Sequence, residues 1–131
     1  MAAELTDADH ELLTGTGYAT LVTMNADGTP HATITWVDAA DGHVLINTAA
    51  GRVKERNFRR DPRVAVLVTA PGDAYRWVSV TGTVVEIVAE GADAHIDALS
   101  RRYDDEPWTP VEGQRRAIFK IRPDRVIRYG G

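Results

Sequence analysis

Residues 51–68, GRVKERNFRRDPRVAVLV, place six of the chain's fifteen basic residues within thirteen positions and then turn apolar. The chain as a whole carries a formal charge of −4. Three chemistries fit such a cluster. On a helix, Arg52, Arg56, Arg59, Arg60 and Arg63 fall near one face, where Glu55 and Asp61 are available as partners, and a solvated face needs no ligand. Nucleic-acid binding calls for a broad basic surface. An isoelectric point of about 5.5, and acids such as Glu86, Glu90, Asp104, Asp105 and Glu106 interleaved with the other basic residues, weigh against it. A phosphate site calls for backbone N–H groups converging where a strand gives way to a helix. The run Asn47, Thr48, Ala49, Ala50, Gly51 provides polar and then small residues at such a junction. Arg52 adds a planar fork for phosphate oxygens and Lys54 a mobile point charge.

Other reactive chemistry is thinly represented. There is no cysteine, which excludes disulfides, thiolate nucleophiles and iron–sulfur clusters. The histidines, His10, His31, His43 and His95, have no metal-ligand spacing, so no metal is expected. Ser79 and Ser100 lie outside any G-x-S-x-G context. Redox chemistry on this chain therefore requires an organic cofactor. No apolar run is long enough to cross a bilayer, and MAAELTDADHELL lacks the basic and apolar regions of a secretory signal, so a cytoplasmic location is expected.

The elements that must position these residues follow from pattern. The 131 residues amount to one domain, taken as 1–131, with 44 % hydrophobic and 26 % charged residues. Thr6 and Asp9 form a capping-box pair that opens a helix through Leu13, with Leu5 as a staple. Strands are predicted over 18–24, 31–37 and 43–48, joined by turns at 25–30 and 38–42 into an antiparallel meander. A helix is predicted over 49–60, ended by Asp61-Pro62. Residues 63–68 read as a strand buried on both faces, and 69–76 as a loop. A long strand over 77–88 carries Gly82 as the mark of a bulge or bend. A helix over 91–103, a loop through Trp108, and two final strands broken at Pro123 complete the chain. The sum is a mainly β fold with short helices, an antiparallel barrel of six to seven strands whose ends the helices plug.

The R-x-K-x-x-N-F-R-R-D-P-R core (Arg52, Lys54, Asn57, Phe58, Arg59, Arg60, Asp61, Pro62, Arg63), the DGTPHATITWV hairpin and the VTGTVVEI strand resemble the pyridoxamine 5′-phosphate oxidase-like split β-barrel superfamily. The likeness is greatest to its actinobacterial branch of coenzyme F-420-dependent reductases. It implies an FMN-binding split-barrel fold and a homodimer with cofactor between the barrels. By the same resemblance Arg52 and Lys54, with Asn57 nearby, bind the cofactor phosphate, and Asn47, Thr48, Ala49 and Ala50 run beside the ring. Tyr75, Arg76 and Trp77 approach from the partner subunit. Trp36 and Trp77 are candidates to wall a planar substrate, and each is equally a core or interface tryptophan.

FMN and F-420 share a tricyclic ring, a ribityl chain and a phosphate. F-420 adds an acidic tail, for which Arg56, Arg59 and Arg60 are candidates. The implied activity is hydride transfer from reduced F-420 to an electron-poor double bond, such as an enone, an unsaturated lactone of coumarin or aflatoxin type, or a quinone. No residue stands out as the proton donor. An FMN-dependent oxidase or reductase and a non-catalytic F-420 carrier are the alternatives. A strict pyridoxamine phosphate oxidase needs a second phosphate site, for which only Arg101/Arg102 and Arg115/Arg116 remain.

Overall fold

A computed structural model describes residues 3–130, so both ends of the expected 1–131 domain, residues 1, 2 and 131, lie outside the described residues. The order is α1 (Asp7–Leu13), β1 (Ala19–Met24), β2 (Pro30–Thr35), β3 (Asp38–Ala40), β4 (His43–Ala49), α2 (Val53–Arg60), β5 (Arg63–Ala70), β6 (Asp73–Val88), α3 (Ala92–Asp104) and β7 (Arg116–Tyr129). The strands form one antiparallel sheet in the order β2-β1-β5-β6-β7-β4-β3.

That order, with the chain path, forces the sheet to curl. Its outermost strands, β2 and β3, are consecutive in sequence and joined by Trp36 and Val37 alone. Six gaps at about 4.8 Å would set the edges of a flat sheet about 29 Å apart. The link from Thr35 to Asp38 reaches at most about 11 Å. The sheet therefore closes on itself around one core, a split β-barrel. Ala19 and Leu21 of β1, Val64, Val66 and Val68 of β5, Val78 and Val80 of β6, Phe119 and Ile121 of β7, and Val44 and Ile46 of β4 all enter that core.

The helices close what the sheet leaves open. Phe58 of α2 stacks on Phe119 with ring centroids 4.6 Å apart, and burying such a side chain contributes about 1.5–3 kcal/mol. Leu13 of α1 is fully buried, and Leu5 packs against the core. The predicted capping box is present: the Asp9 N–H donates to Thr6 Oγ1 at 3.1 Å and the Thr6 N–H to Asp9 Oδ2 at 2.9 Å.

Several local expectations are corrected by long-range pairing. Residues 38–40 are a strand, not part of a turn, because they pair with β4. The meander stops at the β1–β2 hairpin, since β4 pairs with β7 and not β2. Helix α2 starts at Val53, because Asn47, Thr48 and Ala49 remain in the β4–β7 ladder opposite Ile118, Ala117 and Arg116. Strand β5 is buried on one face only: Val64, Val66, Val68 and Ala70 point inward, and Leu67 is 38 % exposed. Residues 69–76 contain only a tight turn at Pro71-Gly72 before β6 begins.

Pro123 does not break β7. It lies opposite Gly82 at a register shift, where the missing proline N–H falls at an irregularity of the ladder. A Cβ at Gly82 would collide with the Arg122 carbonyl, which gives the predicted irregularity its physical cause.

Asp9 also anchors α1 to the end of β7, accepting from Arg128 at 3.0 and 2.7 Å. Burial alone would raise its pKa, but hydrogen bonds from Arg128 and Thr6 outweigh it and hold the carboxyl below its ordinary value. Such a group contributes stability that is complete above its unfolded pKa, about 4, and lost as pH falls through the folded value. Asp9→Asn should lower the melting temperature at pH 7. Its deficit relative to the wild type should shrink between about pH 5 and pH 2 as the wild-type carboxyl protonates. Thermal melts across that range check this; a deficit independent of pH would contradict it.

Candidate anion and aromatic-ligand site

The junction from β4 to α2 opens into a cavity of about 230 Å³. Asn47 and Thr48 end the cavity-facing part of β4, Gly51 turns the chain at φ +91, and Arg52 and Lys54 follow at the start of α2. Glu55 holds that turn by accepting from the Gly51 N–H at 2.9 Å. Arg52, as N-cap, makes no side-chain capping bond, so its guanidinium is not tied to the helix it precedes. The opposite wall comes from Tyr18, from Ile34, Thr35 and Trp36 at the end of β2, and from Ile96, Trp108 and Arg116.

Trp36 is fixed by its neighbours. It stacks on Tyr103 with centroids 5.4 Å apart and planes 9° from parallel, and meets Trp108 edge-on at 6.1 Å. Tyr103 in turn donates its hydroxyl to the Gly17 carbonyl at 2.8 Å and accepts from the Val37 N–H at 3.2 Å. Burial raises its pKa, so it stays a neutral phenol.

The electrostatics of the cavity are one-sided. Among the described residues, Arg52, Lys54 and Arg116 form no ion pair with a carboxylate. Burial pushes the Lys54 pKa down, and the charges of Arg52 and Arg116 push it further. Arg116 is lowered likewise, by burial first and then by Arg52, with the nearby Asp93 carboxylate opposing in part. Converging cations without counter-ions disfavour their own charge, and an anion in the cavity reverses that penalty. A phosphate group, with several acceptor oxygens and negative charge, matches these converging cations. A phosphorylated flavin or deazaflavin therefore fits this donor set.

The rest of the basic cluster is committed elsewhere. Arg56 donates to the Gly51 carbonyl at 2.8 Å, Arg59 pairs with Glu55, and Arg60 donates to the Met24 carbonyl and to Asn57 Oδ1, both at 2.7 Å. Arg63 forks onto Asp61 at 3.0 and 2.8 Å and, by its side-chain and backbone hydrogen bonds, draws that carboxyl's pKa down to about 2. These arginines hold α2 and its exit, and none of them lines the cavity.

Of the residues expected at the site, the structure brings together Trp36, Asn47, Thr48, Arg52 and Lys54, with Ala49 and Ala50 adjoining in the chain. Asn57 does not line the cavity. It is 3 % exposed and donates to Thr23 Oγ1 at 3.0 Å and Asn25 Oδ1 at 3.1 Å, tying α2 to β1. Tyr75, Arg76 and Trp77 lie on β6 outside their own chain's cavity, where Trp77 stacks on Tyr129 at 6.0 Å. Tyr18, Ile96 and Trp108 join the site without a local sequence signal, since their neighbours are distant in the chain, and Arg116, considered with Arg115 only for a second phosphate site, lines this same cavity. Among the described residues no group of three or more His, Asp or Glu side chains is arranged to hold a metal, and no helix is long and apolar enough to cross a membrane.

The profile of the family described as pyridoxamine 5′-phosphate oxidase matches residues 5–129. No protein of curated function matches the chain. Among solved structures, an F420 reductase is similar at 30 % identity and a TM-score of 0.83, over 94 % of this chain and 98 % of that one. A conserved hypothetical protein of Mycobacterium tuberculosis is 30 % identical with a TM-score of 0.70, over 95 % and 84 % of the two chains. General Stress Protein 26 of Bacillus anthracis, 20 % identical with a TM-score of 0.67 over 90 % and 88 %, shares the fold. The chain belongs to the pyridoxamine 5′-phosphate oxidase family of split β-barrel proteins.

Proposed function

We propose that the protein is a cytoplasmic, homodimeric reductase that uses coenzyme F-420 and acts on planar substrates with an electron-poor double bond. The observation that carries the reading is the cavity itself: converging cations without ion-pair partners at one end, Trp36 and Trp108 along the wall. Arg52 and Lys54 bind the phosphate. The tryptophans offer flat apolar surface to a ring and exclude water from it. When bound, a reduced deazaflavin supplies a hydride equivalent, and the chain's part is to bind, orient and dehydrate the reactants. Because Arg56, Arg59 and Arg60 are engaged within the fold, they give no argument for an acidic tail. The preference for F-420 over FMN rests on the similarity to the F420 reductase. Side-by-side titration with FMN and F-420 tests it, and tight FMN binding without F-420 binding would overturn it. Arg52→Ala removes a charge-assisted contact of about 1.5–3 kcal/mol and should weaken cofactor affinity about tenfold to a hundredfold. Unchanged affinity would remove Arg52 from the phosphate site.

The homodimer is supported by the outer face of the sheet. Register aligns Ile34, Thr20, Leu67, Ser79 and Ile127 across five strands, and Thr69, Trp77 and Tyr129 beside them. Ile34, Leu67, Ile127 and Tyr129 are 65, 38, 46 and 57 % exposed. Ile34 belongs both to this face and to the cavity wall, so a second copy seated there also borders the site. Tyr75, Arg76 and Trp77 then reach the partner's cavity. Leu67→Arg, whose side chain points outward, should leave a folded monomer with weakened cofactor binding. Light scattering and the same titration read both; a dimer of normal affinity would exclude this face.

A further inference from the structure

Arg116 is buried, 9 % exposed, and among the described residues has no carboxylate within ion-pair distance. Its Nε donates to Asn47 Oδ1 at 2.8 Å and its Nη1 to Gln114 Oε1 at 2.7 Å, both neutral amides. Its guanidinium lies 5.0 Å from the centre of the Trp108 ring. No hydrogen bond engages Nη2 among the described residues. A buried guanidinium normally has a counter-ion, because its desolvation is otherwise uncompensated. Arg116 borders two cavities. The second holds Asp93 and Asp97 and repels anions, whereas the first holds Arg52 and Lys54.

The aim of the side chain is set by a chain of hydrogen bonds. Asn47 Nδ2 donates to the Ala92 carbonyl at 2.9 Å and meets His95 Nδ1 at 3.1 Å. His95 Nε2 meets Asp38 Oδ2 at 2.9 Å, and Asp38 also accepts from Arg102 at 2.6 Å. With Nε2–H donating to the Asp38 carboxylate, Nδ1 is left as an acceptor for the Asn47 amide. The Asn47 amide nitrogen thus has two acceptors, and its oxygen is the end that faces Arg116. Asn47 is accordingly a positioning residue for Arg116.

We infer that Arg116 is a third ligand for the anionic group bound by Arg52 and Lys54, a phosphate or a carboxylate, and that its positive charge, which Asp93 offsets only in part and at no ion-pair distance, is met when that group binds. The inference rests on the reading that the cavity takes a phosphorylated ligand.

Titration of the full chain with inorganic phosphate and diphosphate, by calorimetry and by ligand-induced thermal shift, tests it. Arg116→Gln keeps a donor for Asn47 but removes the charge, and should weaken diphosphate binding about tenfold to a hundredfold. Gln114→Glu sets a carboxylate on the guanidinium without changing shape. It should raise the melting temperature of the unliganded protein while weakening diphosphate binding at 0.15 M salt by about tenfold. If both variants bind within twofold of the wild type while Arg52→Ala does not, Arg116 is no ligand and the cofactor reading stands. If binding depends on Arg116 but neither FMN nor F-420 binds the wild type, the anion assignment stands and the cofactor reading falls. A wild type that takes up neither anion at millimolar concentration overturns the inference.

Discussion

The two-residue link between Thr35 and Asp38 is the constraint on which the molecule turns. It joins the opposite edges of the sheet, and its brevity converts an open seven-stranded sheet into a barrel. Closure does more than bury a core. It sets Trp36, half of the link, at the cavity wall, and it delivers the backbone of Val37 to a brace from α3. Arg102 donates to the Val37 carbonyl at 3.0 Å and to Asp38, while the Tyr103 hydroxyl receives the Val37 N–H. Both polar groups of a residue that is itself fully buried are thereby satisfied. The Asp38 carboxyl would be raised by burial, but hydrogen bonds from His95 and Arg102 keep it below its ordinary value. The brace therefore remains ionic at neutral pH.

A second constraint is the division of positive charge within residues 52–63. One set of side chains builds the junction and the other faces the cavity. Glu55, Asn57, Asp61, Arg56, Arg59, Arg60 and Arg63 bond one another or nearby backbone, which fixes the turn at Gly51 and the exit at Pro62. Arg52 and Lys54 are left without such partners. A helix wheel places these residues without distinguishing them, because periodicity reports which face a residue occupies and not whether its charge is met.

Local devices were the legible part of the fold. The Thr6–Asp9 box, the Asp27-Gly28 turn, the end of α2 at Asp61-Pro62 and the irregularity at Gly82 each depend on residues close in sequence or on one residue's backbone freedom. What escaped was pairing at long range. Residues 38–40 read as a turn because their strand character comes from β4, and Pro123 read as a break because Gly82, which accommodates it, lies on another strand. At the site, Arg52 and Lys54 were legible from spacing and from family likeness. Arg116 was legible only as part of the Arg115/Arg116 pair considered for a second phosphate site; its place beside Arg52 and Lys54 was not, because the amide that aims it, Asn47, is 69 residues away. Asn57 shows the converse, a motif residue whose position was legible while its hydrogen bonds to Thr23 and Asn25 were not.

The brace and the site are one hydrogen-bonded system. Asp38 lies at the barrel closure and Arg116 at the cavity, with His95 and Asn47 bonded in series between them. Each intermediate amide or imidazole has its donors and acceptors assigned by its neighbours, so the orientation at one end is fixed by the charge at the other. This explains how the chain keeps a guanidinium without an ion-pair partner in a buried cavity. The desolvation of Arg116 is offset in part by two amide oxygens, a tryptophan face and the charge of Asp93, and the remaining imbalance is available to a ligand. The same closure that makes the barrel thus also sets the charge its cavity presents.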